Sequence, residues 1–137
     1  MNVSKTHSEA TTLRIGIASY EEMKARTMAI ARGALRPSPD EPKVWFTSTE
    51  SFAKVMSAGN RDLLRIIAER HPGSIDDLAG MSGRAKSNLS RTLKRMAGYG
   101  LVTLERGERG RLVPKVGFDR VVLDLPLWRG SLPPAAE

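Results

Sequence analysis

Apolar and polar residues alternate near the start of the chain and then recur at helical spacing. The segment "TLRIGIAS" alternates over residues 13–18, a period of two that predicts a half-buried strand. Its apolar side consists of Leu13, Ile15 and Ile17, and its other side of Arg14, Gly16 and Ala18. Ser19 can cap a following helix, which we expect to run from Tyr20 to about Ala34. That helix has a narrow apolar stripe: Met23, Thr27, Ile30 and Ala34.

The middle of the chain has stronger helical patterns. Residues 44–46 predict a short strand, and Thr47 and Glu50 have the spacing of a capping box before an apolar helical face. The next helix is expected to begin at Asn60 and to end at Pro72-Gly73. Its broad buried face comprises Leu63, Leu64, Ile66 and Ile67. Ser74, with Asp77 three residues on, caps a short helix through about Met81.

A basic segment and two glycine-linked strands follow. The segment "GRAKSNLSRTLKR", Gly83 to Arg95, predicts a helix that ends at Tyr99-Gly100; we call it the basic helix. "LVTLERGERGRLVPKV" then predicts a hairpin around a glycine-bearing turn. "DRVVLDLPL" predicts a last strand that presents one apolar face, formed by Val121, Leu123 and Leu125.

Three helices followed by a hairpin predict an α+β fold, mainly α: a winged helix-turn-helix with an N-terminal β-α arm and a C-terminal strand. The spacing of Ala79, Gly83 and Leu89 favours this fold, because it requires a small residue, a turn glycine and a core aliphatic at these places. The expected domains are residues 1–11 disordered, 12–36 the β-α arm, 37–42 a Pro-rich linker, 43–125 the DNA-binding domain and 126–137 a flexible tail. The arm is too small to fold alone, so it needs the main domain or a second subunit, and we expect it to serve dimerisation or partner binding. Because regulators of this fold read paired half-sites, we expect a homodimer.

Positive charge is concentrated in one window of the chain. The net charge is +7, and residues 83–111 hold 8 basic and 2 acidic side chains. The residues before this window hold 11 basic and 10 acidic side chains, and those after it hold 3 of each. Such a concentration of positive charge indicates a polyanionic partner, although a run of basic residues is often only a solvated surface.

A helical wheel separates the basic helix into two faces. Leu89, Leu93, Met96, Thr92 and Ala85 form an apolar face. Ser87, Asn88, Arg84, Arg91, Lys94 and Arg95 lie opposite, and Lys86 adds a further charge. A helix of this kind fits the major groove of double-stranded DNA, where Arg91 can contact guanine and Asn88 adenine. Ser87 permits close approach, and Arg84, Lys94 and Arg95 are expected at phosphates.

The predicted hairpin carries three more arginines, Arg106, Arg109 and Arg111. A wing at this place would lie along the DNA backbone or the minor groove, whose negative potential favours arginine. The alternative is a hairpin whose arginines only keep a strand edge soluble, and Glu108 at the tip favours that alternative.

The composition argues against several other functions. The chain has no cysteine, which excludes a disulfide scaffold or thiolate site and fits a cytoplasmic protein. His7 and His71 lack companions for a metal site, and no phosphate-binding glycine loop is present. No apolar run is long enough to span a bilayer, and no signal peptide is recognised. We therefore expect no enzyme, cofactor, metal or membrane partner.

The chain resembles the MarR-like winged helix-turn-helix proteins, a group of predicted transcriptional regulators of prokaryotes. The resemblance lies in "SYEEMKARTMAIARG", "KVWFTSTESFAKVMSAGNRDLLRIIAE", "GRAKSNLSRTLKRMAGYGLVTLERGERGRLVPKV" and "FDRVVLDL". It implies an operator-binding dimer, and members of this group often resemble the antitoxin of a toxin–antitoxin module, which implies a cognate toxin as partner. The group's usual serine or threonine near the start of the basic helix is Ala85 here, with Ser82 as a substitute cap.

The sequence thus predicts a transcriptional regulator that binds double-stranded DNA with sequence specificity and acts as a repressor or autoregulator. The extension of this hypothesis is that the protein is the antitoxin of a toxin–antitoxin module. The alternative is a protein-interaction module or an RNA-binding protein that uses the same basic helix. Aromatic residues make up 5% of the chain, which argues against recognition of single strands by base stacking.

Overall fold

The structure is a computed structural model that describes residues 12–127. The predictions for residues 1–11 and for most of the tail, residues 128–137, lie outside the described residues. The strands are β1 (Thr12–Ile17), β2 (Val44–Phe46), β3 (Thr103–Arg106), β4 (Leu112–Lys115) and β5 (Arg120–Asp124). The helices are α1 (Tyr20–Ala31), α2 (Thr49–Val55), α3 (Ala58–Arg70), α4 (Ile75–Ser82) and α5 (Lys86–Tyr99), with a 3₁₀ turn at Glu108–Gly110.

The described chain divides into two compact units. Residues 13–53 and 121–127 form one, which we call the sheet unit, and residues 54–120 form the other, the helical unit. This division differs from the domains expected from sequence, where the boundary falls at the Pro-rich segment 37–42. That segment lies inside the sheet unit, and the boundary falls within α2.

The sheet unit contains a three-stranded sheet in the order β2-β1-β5. β1 and β2 are parallel, with Ile15 opposite Val44 and Ile17 opposite Phe46. These four side chains share one face because alternate residues of a strand point the same way. The predicted strand is therefore confirmed. It is not exposed on its other side, however, since Gly16 is buried there beneath Trp45 and Pro42.

The helix after β1 begins where the sequence predicts. The Ser19 hydroxyl accepts from the backbone N–H of Glu22, and the Glu22 carboxylate accepts from the N–H of Ser19, which completes a capping box. The helix ends at Ala31, three residues earlier than expected. The predicted apolar stripe is wrong in part: Thr27 and Ala34 are exposed, and the fully buried residue is Ala29.

A half-buried ion pair lies on the inner side of α1. Arg26 donates to the carboxylate of Glu41, and its guanidinium carbon lies 5.7 Å from the centre of the Trp45 ring. The Glu41 carboxylate also accepts from the backbone N–H of Ser38. Arg26 therefore connects α1 to Trp45 and, through Glu41, to the Pro-rich segment that the sequence predicts to be a linker.

Gly16 offers a test of this packing. A Cβ at this position would lie 2.5 Å from Cζ3 of Trp45, so we expect Gly16→Ala to lower the free energy of unfolding by about 1–3 kcal/mol. Urea denaturation measures the change. Gly80→Ala is the matched control: it lies in helix α4 with no atom within 4 Å of its Cβ, and should raise stability by up to about 1 kcal/mol. A stability gain for both variants would contradict the close approach.

The C-terminal strand β5 forms as predicted and is one edge of the sheet. Its apolar residues do not divide into one buried and one exposed face. Val121, Val122 and Leu123 are each half-buried, and Leu125 is 46% exposed. Val121 and Leu123 share one face, because alternate residues of a strand point the same way, and Leu125 lies beyond the strand end at Asp124.

The helical unit contains α3, α4 and α5 followed by the antiparallel hairpin β3–β4. The four predicted core residues of α3 are buried: Leu63, Leu64, Ile66 and Ile67. Leu78 of α4 and Leu101 after α5 are also buried in this core, as are Leu89, Leu93 and Met96 of α5. At about 25 cal/mol per Å² of apolar area, these side chains supply most of the stability of the unit.

Two predicted helix starts in this part of the chain are displaced. The Thr47–Glu50 capping box does not form; Ser48 accepts instead from the backbone N–H of Ser51. Helix α3 begins at Ala58 rather than Asn60, because the Ser57 hydroxyl accepts from the N–H of Asn60. The cap of α4 is confirmed, since Ser74 accepts from the N–H of Asp77 at 3.0 Å.

Candidate nucleic-acid interface

The turn between α4 and α5 has the geometry that its glycine predicts. Gly83 ends α4 in the left-handed conformation at φ 77°, and its N–H donates to the carbonyl of Ala79 at 2.9 Å. This left-handed conformation costs a residue that has a Cβ roughly 1–2 kcal/mol, whereas glycine adopts it freely. Leu89 is fully buried and Ala79 is half-buried. The three residues singled out in the sequence therefore lie together at the crossing of these packed helices.

Helix α5 is anchored on one side and exposed on the other. Leu89, Leu93 and Met96 are fully buried. The exposed candidates on this helix are Lys86, Ser87, Asn88, Arg91, Lys94 and Arg95. The helical wheel is confirmed for Ser87, Asn88, Arg91, Lys94 and Arg95, whereas it assigned Lys86 to neither face. It is wrong for Ala85, which is exposed and precedes the helix.

Arg84 is not on the helix. It lies in the turn between Ser82 and α5 and is half-buried, and its backbone N–H donates to the Ser82 hydroxyl at 3.2 Å. Its guanidinium Nη2 reaches 3.3 Å from the position that a Cβ would take at Gly59, on α3. Ser82 therefore serves the turn, and the suggestion that it caps the basic helix is wrong.

The N-terminus of α5 has no side-chain cap. Ala85 occupies the N-cap position with extended backbone, φ −66° and ψ 143°, and makes no side-chain hydrogen bond. A hydroxyl here would accept from one of the first N–H groups of the helix, since those groups have no partner within it.

Ala85→Ser should therefore raise the free energy of unfolding by about 1 kcal/mol. Thermal and urea denaturation measure the gain. Ala97→Ser, the same change inside α5, is the control and should lower stability by a few tenths of a kcal/mol. If both variants change stability alike, the extended conformation of Ala85 is not a cap geometry.

The excess positive charge of the chain belongs to the helical unit. Residues 54–120 hold 14 basic and 7 acidic side chains, which accounts for the whole net charge of +7. Lys86 is paired with Asp76 of α4, Nζ to Oδ1 at 2.9 Å, and both groups are exposed. Within residues 12–127 no salt bridge involves the remaining charges of α5, which are Arg91, Lys94 and Arg95.

Arg65 on α3 shows the contrasting case. It forms salt bridges with Asp62 and Glu69 on its own helix. The hydrogen bonds that Arg65 donates to the Asp62 carboxylate are the largest cause that raises the pKa of Arg65. An exposed pair of this kind contributes little to stability. The charge of Arg65 is compensated locally, however, whereas Arg91, Lys94 and Arg95 of α5 form no salt bridge within the described residues.

The hairpin places the other three arginines at or beside its tip. Leu104 pairs with Pro114 and Arg106 with Leu112, and the chain turns over residues 107–111. Arg106 is used within the hairpin, because its Nη1 donates to the carbonyl of Gly110 at 3.1 Å. Arg109 and Arg111 are exposed.

Arg109 has a strained backbone at the tip of the hairpin. Its φ of 59° and ψ of 28° are left-handed, a conformation that non-glycine residues rarely adopt. Such strain persists where the surrounding structure enforces it, and it is concentrated at functional sites. Here the N–H of Gly107 donates to the Arg111 carbonyl at 2.7 Å and closes the turn, which holds Arg109 outward.

Sequence reasoning missed two residues of this surface. Lys115 is exposed on β4 opposite Thr103, and it extends the basic surface of the hairpin beyond the window that ends at residue 111. Asp76 neutralises Lys86 from the first turn of α4. The charge pattern could have revealed Lys115; the pairing of Asp76 depends on the helix crossing and leaves no local signal.

Within residues 12–127 the structure contains no group of three or more histidine and acidic side chains that could hold a metal ion. In the same range no helix has both the length and the apolar character needed to cross a bilayer.

Three helices followed by an antiparallel hairpin are the elements of a winged helix-like DNA-binding fold, and the α+β structure of the described residues is compatible with it. The chain belongs to the HVO_A0114 family, whose model matches residues 55–123. The fold is also similar to the crystal structure of a predicted DNA-binding transcriptional regulator from E. coli. That match has a TM-score of 0.42 and 22% identity, over 67% of this chain and 81% of that chain. No similar sequence was found among curated proteins.

Proposed function

We propose that this protein is a transcriptional regulator that binds double-stranded DNA with sequence specificity and represses genes, its own included. The observation that carries the proposal is helix α5. Its apolar side is fixed in the core by Leu89, Leu93 and Met96, and its opposite side presents exposed cations that no acidic side chain of the described residues neutralises, Lys86 excepted. A rigid helix with such a face fits the major groove.

The residues of α5 divide into two roles. Arg91 donates to the acceptor edge of guanine and Asn88 bonds adenine, which are the pairings that distinguish bases in the major groove. Ser87, near the N-terminus of the helix, allows close approach. Lys94 and Arg95, one turn further along, bind phosphates and fix the register of the helix on the duplex.

The hairpin supplies a second contact, the wing. Arg109 at its tip and Arg111 beside it reach the DNA backbone or the adjacent minor groove. Arg106 acts mainly by shaping the tip, because its guanidinium is bonded to Gly110. Arg84, in the turn before α5, adds a phosphate contact. This division of labour is supported by the hydrogen bond of Arg106 within the hairpin, since all three wing arginines are exposed.

The regulator acts as a homodimer in the cytoplasm, so that two copies of α5 read paired half-sites. A gel-shift assay tests the function. Labelled duplex from upstream of the gene is expected to bind in preference to either single strand and to structured RNA. Equal binding to all of these would favour the RNA-binding alternative, and no binding at all would leave only a protein-interaction module.

The resemblance to antitoxin-type proteins supports a further part of the proposal, that a cognate toxin is the protein partner. The segment we expect to dock it, "LPLWRGSLPP" with Trp128 as anchor, lies mostly outside the described residues. Co-expression with the product of the adjacent gene, followed by affinity capture, tests this part. Capture that is lost on removal of residues 126–137 would support it, and failure of the full-length chain to retain its neighbour would exclude it.

A further inference from the structure

Strand β5 leaves one edge of its sheet unpaired within residues 12–127. The sheet order β2-β1-β5 places β1 in the centre, so its hydrogen-bonding groups are satisfied on both sides by this chain. The other edge, β2, is only 3 residues long, whereas β5 has 5. An exposed strand edge is a template for a further strand unless proline, an inward-facing charge or short length protects it.

β5 has none of these protections. Its charged residues, Arg120 and Asp124, are exposed and stand at its two ends, and its middle is apolar. Val121, Val122 and Leu123 are all half-buried, so the sheet itself covers neither face of the strand fully. Apolar surface continues past the strand, where Leu125 is 46% and Leu127 83% exposed.

The sequence of β5 is self-complementary in an antiparallel pair. If two copies pair about Val122, Arg120 of each copy lies opposite Asp124 of the other, and Val121 lies opposite Leu123. Residues directly opposite each other share a face, so this register gives two contacts between opposite charges. Within residues 12–127 neither Arg120 nor Asp124 forms a salt bridge that would compete.

The neighbouring registers lack this match. A shift that pairs Val122 with Leu123 sets Arg120 opposite Leu125 and Val121 opposite Asp124, so that neither charge meets an opposite one. A shift that pairs Val121 with Val122 sets Asp119 opposite Asp124, a contact between like charges. A shift that centres on Leu123 sets Pro126 opposite Arg120 and places a residue without an N–H in the ladder. Charge and apolar pattern therefore select the register about Val122.

We propose that two copies of this chain associate through β5, antiparallel about Val122, and join their three-stranded sheets into one of six strands. A two-fold axis through Val122 makes the contact isologous, with the same five residues on both sides. This inference rests on the homodimer of the proposed function and assigns its interface. The occupant is a second copy rather than another protein because the strand complements itself in charge.

Charge reversal tests the register. Arg120→Asp and Asp124→Arg each set like charges opposite each other twice, and each should raise the dimer dissociation constant by roughly ten-fold or more. Sedimentation equilibrium of the full chain measures the constant. Both residues are exposed, and circular dichroism verifies that each variant is folded. Asp40→Arg, a charge reversal at another exposed position of the sheet unit, is the control and should leave the constant unchanged.

Two further samples separate repulsion from damage to the fold. An equimolar mixture of the two single variants restores both opposite-charge contacts and should form a heterodimer of wild-type strength. The double variant Arg120→Asp with Asp124→Arg should recover the homodimer for the same reason. A strand that had merely unfolded would gain nothing from either change.

Two results would overturn the proposal and are distinguishable from failure of the DNA-binding role. A wild-type dimer that all charge variants leave intact would place the interface elsewhere. A monomer at the concentrations that saturate DNA would remove the homodimer itself. Gel shifts with the same samples report DNA binding independently, so a loss of dimer and a loss of DNA binding are scored separately.

Discussion

Arg91→Ala will lower the affinity of this protein for its operator by about 1–3 kcal/mol while changing its affinity for random duplex much less. The reason is the position of Arg91: it is exposed, and it lies on the side of α5 opposite the buried Leu89 and Leu93. A guanidinium there donates two hydrogen bonds to one guanine, and their loss leaves the acceptors of that base unsatisfied. Asn88→Ala should act in the same way at an adenine.

Paired titrations on operator and random duplex measure the two affinities. Arg70→Ala is the control, since Arg70 is likewise an exposed arginine of the helical unit but belongs to α3. It should weaken binding to both duplexes slightly and equally. If Arg91→Ala also weakens both equally, Arg91 touches phosphate only, and base recognition must come from other residues.

The affinity for DNA will fall steeply with salt. Five candidate cations are assigned to phosphates: Arg84, Lys94, Arg95, Arg109 and Arg111. If each displaces counterions from one phosphate, the slope of log affinity against log salt is about −4.5, or roughly a 500-fold loss between about 50 and about 200 mM. Lys94→Gln should make this slope less negative by about one.

Fluorescence anisotropy across a salt series gives the slope. Lys24→Gln, which removes an exposed charge from the sheet unit, is the control and should leave the slope unaltered. A nearly flat titration of the wild-type protein would contradict the assignment of these cations to DNA. If Lys24→Gln reduces the slope as much as Lys94→Gln does, cations of both units contribute to the binding of DNA.

The parts of the fold that depend on local chemistry could be predicted from sequence. Ser19 and Ser74 cap the helices they were expected to cap, and Gly83 adopts the left-handed turn. In each case one side chain near the helix end satisfies a backbone group, and few neighbours compete for that role. The buried face of α3 could be predicted equally well, because its four apolar residues at helical spacing all lie on one side of the helix, and that side packs into the core.

The errors occur where two local solutions are nearly equal. Ser48 stands beside Thr47, and Ser57 stands three residues before Asn60, so sequence offers two starts for each helix. In each case the serine hydroxyl accepts from the backbone N–H three residues further on and sets the start of the helix. On α1 the sequence could not show that Arg26 turns inward, because its partners Glu41 and Trp45 lie more than ten residues away.

The exposure of the residues on α5 was predicted better than the packing of the sheet unit. The two faces of α5 follow from one periodicity, and the structure exposes every candidate on that helix. Which of the charged side chains have partners could not be predicted. Asp76 pairs with Lys86 across the helix crossing, and Arg106 donates a hydrogen bond within its own hairpin. The division of residues 13–53 and 121–127 into one unit joins distant segments through strand pairing, which composition does not reveal.

The central claim, that α5 reads the sequence of double-stranded DNA, is tested most directly by selecting bound duplexes from a random-sequence pool with the full-length protein and sequencing them. We expect enrichment of one motif with two symmetric half-sites about one helical turn apart, and a preference for guanine within it that is lost when the Arg91→Ala variant is used for the selection. Duplexes that bind without any enriched motif, or a motif that Arg91→Ala leaves unchanged, would contradict it.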